Sequence, residues 1–236
     1  MSCSLYGKLP SKRDFVAVRA PRAFLDPWEP WLQSAVSSSR DELGKEWQAA
    51  FLTAPIWRFW LGADICGRSA IGAFMPSLDG IGRYFPLTVF AFADGGAGFA
   101  PPEIDLQESW FEAVEAFLLS ALDQNITHED IAARIDDLTP PTRVVAPPIS
   151  QAVIRGNLPG SAPGGSGGPF EALRLQQHEA IYASATFWWT IGGQSYPPAA
   201  LCAKHMPDPY IFSSMLTGRF ANDALEGPFQ GAKPDA

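Results

Sequence analysis

"IWRFWLGADICGRSAIGAFMPSLDGIGRYFPLTVFAFA", residues 56–93, contains three short runs, IWRFWL, SAIGAFM and YFPLTVFAFA, rich in aromatic and branched side chains and bounded by glycine or proline. That composition and length favour strands over helices. The connections GADICGR and PSLDGIGR are too short for the crossover that parallel neighbours require, so the three runs form an antiparallel meander.

Upstream, SLYGKLP predicts a further strand ending at Pro10, followed by the polar excursion SKRDFV. A helix follows from Pro21, because Phe24, Leu25, Trp28, Trp31, Leu32 and Ala35 recur at helical spacing. Pro27 and Pro30 are expected to kink or split it. ELGKEWQAAFLTAP predicts a second helix, with Leu43, Trp47, Ala50 and Phe51 on one stripe and Pro55 as its stop. Downstream, Leu106, Trp110, Ala113, Val114, Phe117 and Leu118 mark a helix over residues 104–122, and Thr127 caps the next.

GNLPGSAPGGSGGPF is of low complexity and predicts a flexible loop over residues 156–169; residues 227–236 are expected to be a disordered tail. ASATFWWTIG and ALCAKHMPDP predict two more strands, and YIFSSMLTGRF a helix stopped near Gly218. The first of these strands is too apolar to stand without a sheet from the first half, so residues 1–236 are read as a single domain. The adjacent Trp188 and Trp189 put one indole on each face of that sheet. The expected fold is therefore α/β of the α+β type, a mainly antiparallel sheet covered by helices on both faces.

At 47% hydrophobic residues the chain can bury a substantial core, and 22 prolines with 21 glycines imply many turns. A formal net charge of -8 disfavours nucleic acid and anionic lipid as partners. The amino terminus lacks the apolar core of a secretory signal, and no run approaches the roughly 20 apolar residues of a spanning helix. The protein is expected to be soluble and cytoplasmic. Cys3, Cys66 and Cys202 show no paired spacing, which fits reduced thiols, each expected to be a small buried apolar side chain.

A nucleophilic enzyme needs a base beside its nucleophile, and there are only three histidines, His128, His178 and His205, none in a context that points to catalysis. Ser166 lies in a Gly-Ser-Gly setting without the strand and helix of a nucleophile elbow. No Walker-type sequence is present, and nothing in the spacing of Asp136 and Asp137, or of Glu103 and Asp105, requires a metal. Two charged turns stand out instead. In YGKLPSKRDFV, Lys8, Lys12, Arg13 and Asp14 crowd a turn before Phe15; in PSLDGIGRYFP, Asp79 and Arg83 are placed to pair across a turn flanked by Ser77 and Tyr84. Either turn pins itself with ion pairs or serves function. Arg58, Trp188 and Trp189 complete the candidates, Arg58 as a charge inside an apolar run and the tryptophans as core or partner-binding side chains.

The segments YGKLPSKRDFV, PWEPWLQ, APIWRF, PSLDGIGRYFPLT and WWT, in that order, resemble the TagF family of type VI secretion-associated proteins, most densely over the first 90 residues. The resemblance implies a compact domain with a mainly antiparallel sheet, akin to longin-like folds. It implies a cytoplasmic, non-enzymatic repressor of type VI assembly or firing that acts post-translationally, needs no cofactor, and binds the system's forkhead-associated scaffold protein. Some relatives carry a fused serine/threonine phosphatase domain, whose metal-binding aspartate motifs this chain lacks. The loops around residues 8–15 and 76–86 become candidates for the interaction surface. Two other readings compete: a small hydrolase or ligand-binding enzyme using Asp14, Asp79 and Arg83, and a structural subunit of the apparatus.

Overall fold

The computed structural model describes residues 2–93, 98–143, 169–193 and 196–220. The expected loop at 156–169 lies outside them except for Pro169, as does the tail at 227–236. One antiparallel sheet of seven strands organises the chain, in the order β2-β1-β5-β4-β3-β6-β7. Its strands are β1 (Cys3–Gly7), β2 (Val16–Val18), β3 (Trp57–Leu61), β4 (Ala70–Met75), β5 (Leu87–Phe92), β6 (Ala185–Thr190) and β7 (Ala199–Lys204). The meander expected from residues 56–93 is its centre: β3 pairs with β4 (Phe59↔Gly72) and β4 with β5 (Ala73↔Val89).

Side-chain alternation along these strands makes two cores. Phe59, Phe74, Phe90 and Trp188 point to one face and pack with Phe24, Trp28 and Trp31 of α1 (Arg22–Leu43), with α2 (Trp47–Thr53) and with α7 (Ile211–Thr217). Ile71, Ala73, Val89 and Trp60 point to the other and pack under α4 (Glu108–Ser120) and α5 (His128–Asp137). Two further helices among the described residues are α3 (Ala63–Cys66) and α6 (Pro169–Ile181). Helices therefore cover both faces. The first core is aromatic: the Trp28 ring lies 4.5 Å from Phe59 and 5.8 Å from Trp188, pairs that each add about 0.5–1.5 kcal/mol beyond the area they bury. Gly72 makes room for this packing, since a Cβ there would meet the Phe59 ring at 2.4 Å.

Several expectations are corrected. α1 is not split: it runs through Pro27 and Pro30, whose lost bonds would have reached the carbonyls of Ala23 and Asp26, both exposed residues, while its buried stripe packs on the sheet. The second helix starts later than expected, because Gly44 takes φ +50° and turns the chain through a short 3-10 segment before Trp47. The 104–122 helix begins only at Glu108, since Gln107 is left-handed; its buried stripe is Trp110, Phe111, Val114, Phe117 and Leu118, and Leu106 and Ala113 are exposed. The apolar residues to which the polar excursion returns form a strand that was not expected, β2 (Val16–Val18). His178, read in a polar stretch, is buried on α6, with Nδ1 2.6 Å from the Leu175 carbonyl. Cys202 is exposed, because β7 is an edge strand whose alternate residues face outward; Cys3 and Cys66 are buried, and burial pushes the Cys66 thiol up to about 12. Thr127 caps α5 as expected, its hydroxyl accepting from the Asp130 amide.

Candidate functional site

β1 runs antiparallel to both β2 and β5, with Tyr6 opposite Thr88 and Gly7 opposite Val16. The loop leaving β1 and the loop entering β5 therefore meet at one end of the sheet, although they are far apart in sequence. Gly7 allows the close approach: it takes φ +142°, and a Cβ there would stand 2.2 Å from the Pro86 carbonyl oxygen and 2.8 Å from Leu87 Cα. Gly7→Ala is expected to cost about 2–4 kcal/mol, the sum of backbone strain and overpacking, read as a shift in the denaturant midpoint.

The two loops interlock through their backbones. The Gly80 amide donates to the Lys12 carbonyl at 2.7 Å, and the Ser77 hydroxyl to the Lys8 carbonyl at 2.7 Å. Within the second loop, the Asp79 amide donates to the Arg83 carbonyl at 3.0 Å and the Phe85 amide to the Ser77 carbonyl at 3.0 Å. Asp79 lies at the centre with no exposed surface. Its Oδ1 accepts from the amides of Ile81 (3.1 Å) and Arg83 (2.9 Å), and its Oδ2 from Lys8 Nζ (3.0 Å) and Arg83 Nε (2.7 Å). Desolvation pushes the carboxyl pKa up, but the Arg83 amide, the Lys8 and Arg83 side chains and the Ile81 amide together outweigh it and hold the group well below the usual carboxylate range.

The other candidates in these loops sit around that centre. Arg83 also donates to the Arg13 carbonyl and lies 3.8 Å from the exposed Asp14. Phe15 stacks on Tyr6 at 5.7 Å, meets Phe85 edge-on at 4.9 Å, and carries the Lys8 ammonium 5.2 Å from its ring centre. Tyr84 flanks the cluster: its hydroxyl accepts from the Gln48 amide at 2.7 Å while its ring packs edge-on against Trp47 and Phe51. The expected Asp79–Arg83 pair is present, and Lys8 joins it from 71 residues away.

Arg58 belongs to a different cluster, beneath α4. Its guanidinium is 1% exposed, donates from Nε to Glu115 at 2.6 Å and from Nη1 to Glu108 at 2.7 Å, and lies 4.9 Å over the Phe111 ring. Burial alone lowers its pKa; the two carboxylates reverse that and keep it charged. Glu108 and Glu115 were not singled out from the sequence. The signal was there, since Glu108, Phe111 and Glu115 recur at three- and four-residue spacing on one face of α4. Trp188 and Trp189 do point to opposite faces: Trp188 is 1% exposed in the aromatic core, and Trp189 packs 5.1 Å from Phe111 on the other side. Trp188 is buried and Trp189 partly buried, each packed against one of the two cores.

Four donors on its two oxygens occupy the lone-pair sites of the Asp79 carboxylate, so this group holds the two loops together. A cavity of about 580 Å³ opens elsewhere, at the start of α4, lined by Gln107, Glu108, Trp110, Leu138 and Thr142 among others. Among the described residues no group of three or more His, Cys, Asp or Glu is placed to hold a metal ion, and no helix is long and apolar enough to cross a membrane.

Sheet, paired helical layers and interlocked loops define an α+β domain with a charged tip. Residues 4–138 match the family described as TagF N-terminal domain, type VI secretion system-associated, so the chain belongs to that family. Three chains of solved structures match. One is PA0076 from Pseudomonas aeruginosa PAO1, 31% identical, with a TM-score of 0.74 over 95% of this chain and 98% of that one. No curated protein matches.

Proposed function

We propose that the protein is a non-enzymatic, cytoplasmic regulator that restrains assembly or firing of a type VI secretion system by binding its forkhead-associated scaffold protein. Membership of a type VI secretion-associated family supports the setting. The observation that carries the binding role is the saturated Asp79: this carboxylate at the centre of the loops is fully buried and fully hydrogen-bonded, while Asp14 beside it is 96% exposed. A hydrolase built on Asp14, Asp79 and Arg83 needs a proton-accepting carboxylate held in place beside its substrate; Asp79 is saturated with donors, and Asp14 stands open to solvent 3.8 Å from Arg83.

Deleting the gene is expected to raise type VI export, overproducing the protein to lower it, and the purified chain to retain the scaffold in a pull-down. Unchanged export in both strains together with no retained scaffold would sink the reading.

A further inference from the structure

We propose that the outward side of the two loops docks an acidic segment of the partner protein anchored by apolar side chains, an assignment that rests on the binding role proposed above. The loops divide their residues into two sets. Lys8, Ser77 and Asp79 are buried and spend their polar groups holding the backbone. Lys12 and Arg13 contribute to that frame through their backbone: the Lys12 amide donates to the Leu9 carbonyl, and the Lys12 and Arg13 carbonyls accept from the Gly80 amide and from Arg83. Their side chains enter no ion pair among the described residues. Beside them Phe15 is 46% exposed and Ile81 58% exposed, and the Ile81 amide is fixed on Asp79 Oδ1. Cations and apolar side chains are thus presented from a backbone that is already ordered, so binding loses little conformational entropy there.

Charge selects the partner. Residues 8–15 and 76–86 hold four cations, Lys8, Lys12, Arg13 and Arg83, against the carboxylates of Asp14 and Asp79, a net +2 in a chain whose formal net charge is -8. The rest of the molecule therefore carries -10. An acidic segment is repelled by most of this surface and attracted at the tip, which sets orientation and raises the association rate. Exposed Phe15 and Ile81 add the apolar contact that charge alone does not provide. The acidic remainder weighs against nucleic acid and against an anionic membrane, because both present extended negative surfaces to the whole molecule.

The test uses the full chain, its Lys12→Glu/Arg13→Glu double variant and Ile81→Ser, titrated with the purified forkhead-associated scaffold of the same bacterium. A second titrant is a fluorescein-labelled peptide of alternating Glu and Leu, with a Lys–Leu peptide as control. Wild-type affinity is expected to fall as salt rises from about 0.05 to 0.5 M. The double variant is expected to bind at least about tenfold more weakly and Ile81→Ser measurably so, both with the wild-type thermal midpoint. Scaffold binding by the double variant equal to wild type overturns the docking assignment and leaves the regulatory reading standing. If the wild-type chain does not bind the scaffold, the regulatory reading fails at its named partner and the peptides decide the docking surface. Capture of the Glu–Leu peptide that is lost in the double variant supports it. Capture of neither peptide or of both alike, or tighter binding to DNA or to phosphatidylserine vesicles, overturns it.

Discussion

Asp79→Asn is expected to destabilise the chain by about 3–5 kcal/mol at neutral pH, the cost of removing one partner from a buried ion pair. The substitution keeps the shape but replaces one oxygen of an acceptor-only group with a donor NH2; placed toward Lys8 Nζ and Arg83 Nε, that NH2 leaves both cations without an acceptor there. Lys8 suffers most, because its side chain is 8% exposed, whereas the Arg83 side chain is 54% exposed and can be rehydrated. Folding holds the Asp79 carboxyl below the roughly 3.9 of an unfolded aspartate, so its contribution is complete above that value and is lost as pH falls through the lower folded value. Urea titrations are therefore expected to show a constant gap between wild type and variant from about pH 7 to 5, narrowing as the solution is acidified below about pH 4. A gap that stays constant to the acid limit would show that the carboxylate is not what holds the loops.

Arg58→Met is the second large effect, about 3 kcal/mol of lost stability. It deletes the charge between Glu108 and Glu115, and the two carboxylates fare differently. The Glu108 side chain is 51% exposed and can turn to water, but that of Glu115 is 15% exposed and is left desolvated beneath α4. The remedy follows from the same physics, since a buried ion pair can be replaced by apolar side chains of similar volume with little loss. Arg58→Met/Glu115→Leu is expected to recover most of the stability lost in Arg58→Met, which a double-mutant cycle reads directly. A double variant less stable than the single one would mean that Glu115 holds α4 through some contact other than Arg58.

The centre of the fold was legible because its signals are local. Aromatic runs with short turns between them define β3, β4 and β5, and helical spacing from Phe24 to Ala35 defines the face of α1 that buries against them. The Asp79–Arg83 pair was legible for the same reason, lying four residues apart across a turn. Lys8 at Asp79 was not, because that contact depends on β1 lying beside β5, a pairing between segments with no shared local pattern. Pro27 and Pro30 misled because local propensity argues for a break, while a stripe containing Trp28, Trp31 and Phe24 stabilises the unbroken helix through tertiary packing. Cys202 misled because residue type does not reveal that β7 is an edge. Of the candidate site, the residue types and their two loops were readable; which side chains turn inward to Asp79 and which outward was a question only the three-dimensional arrangement answers.

Export by the type VI system in cells overproducing either the wild-type chain or Lys12→Glu/Arg13→Glu, matched for abundance and thermal midpoint, tests whether the loop tip carries the regulation. The wild-type chain is expected to suppress export and the variant to leave it near the level of cells with no added protein. Suppression by the folded variant as complete as that by wild type would contradict the account.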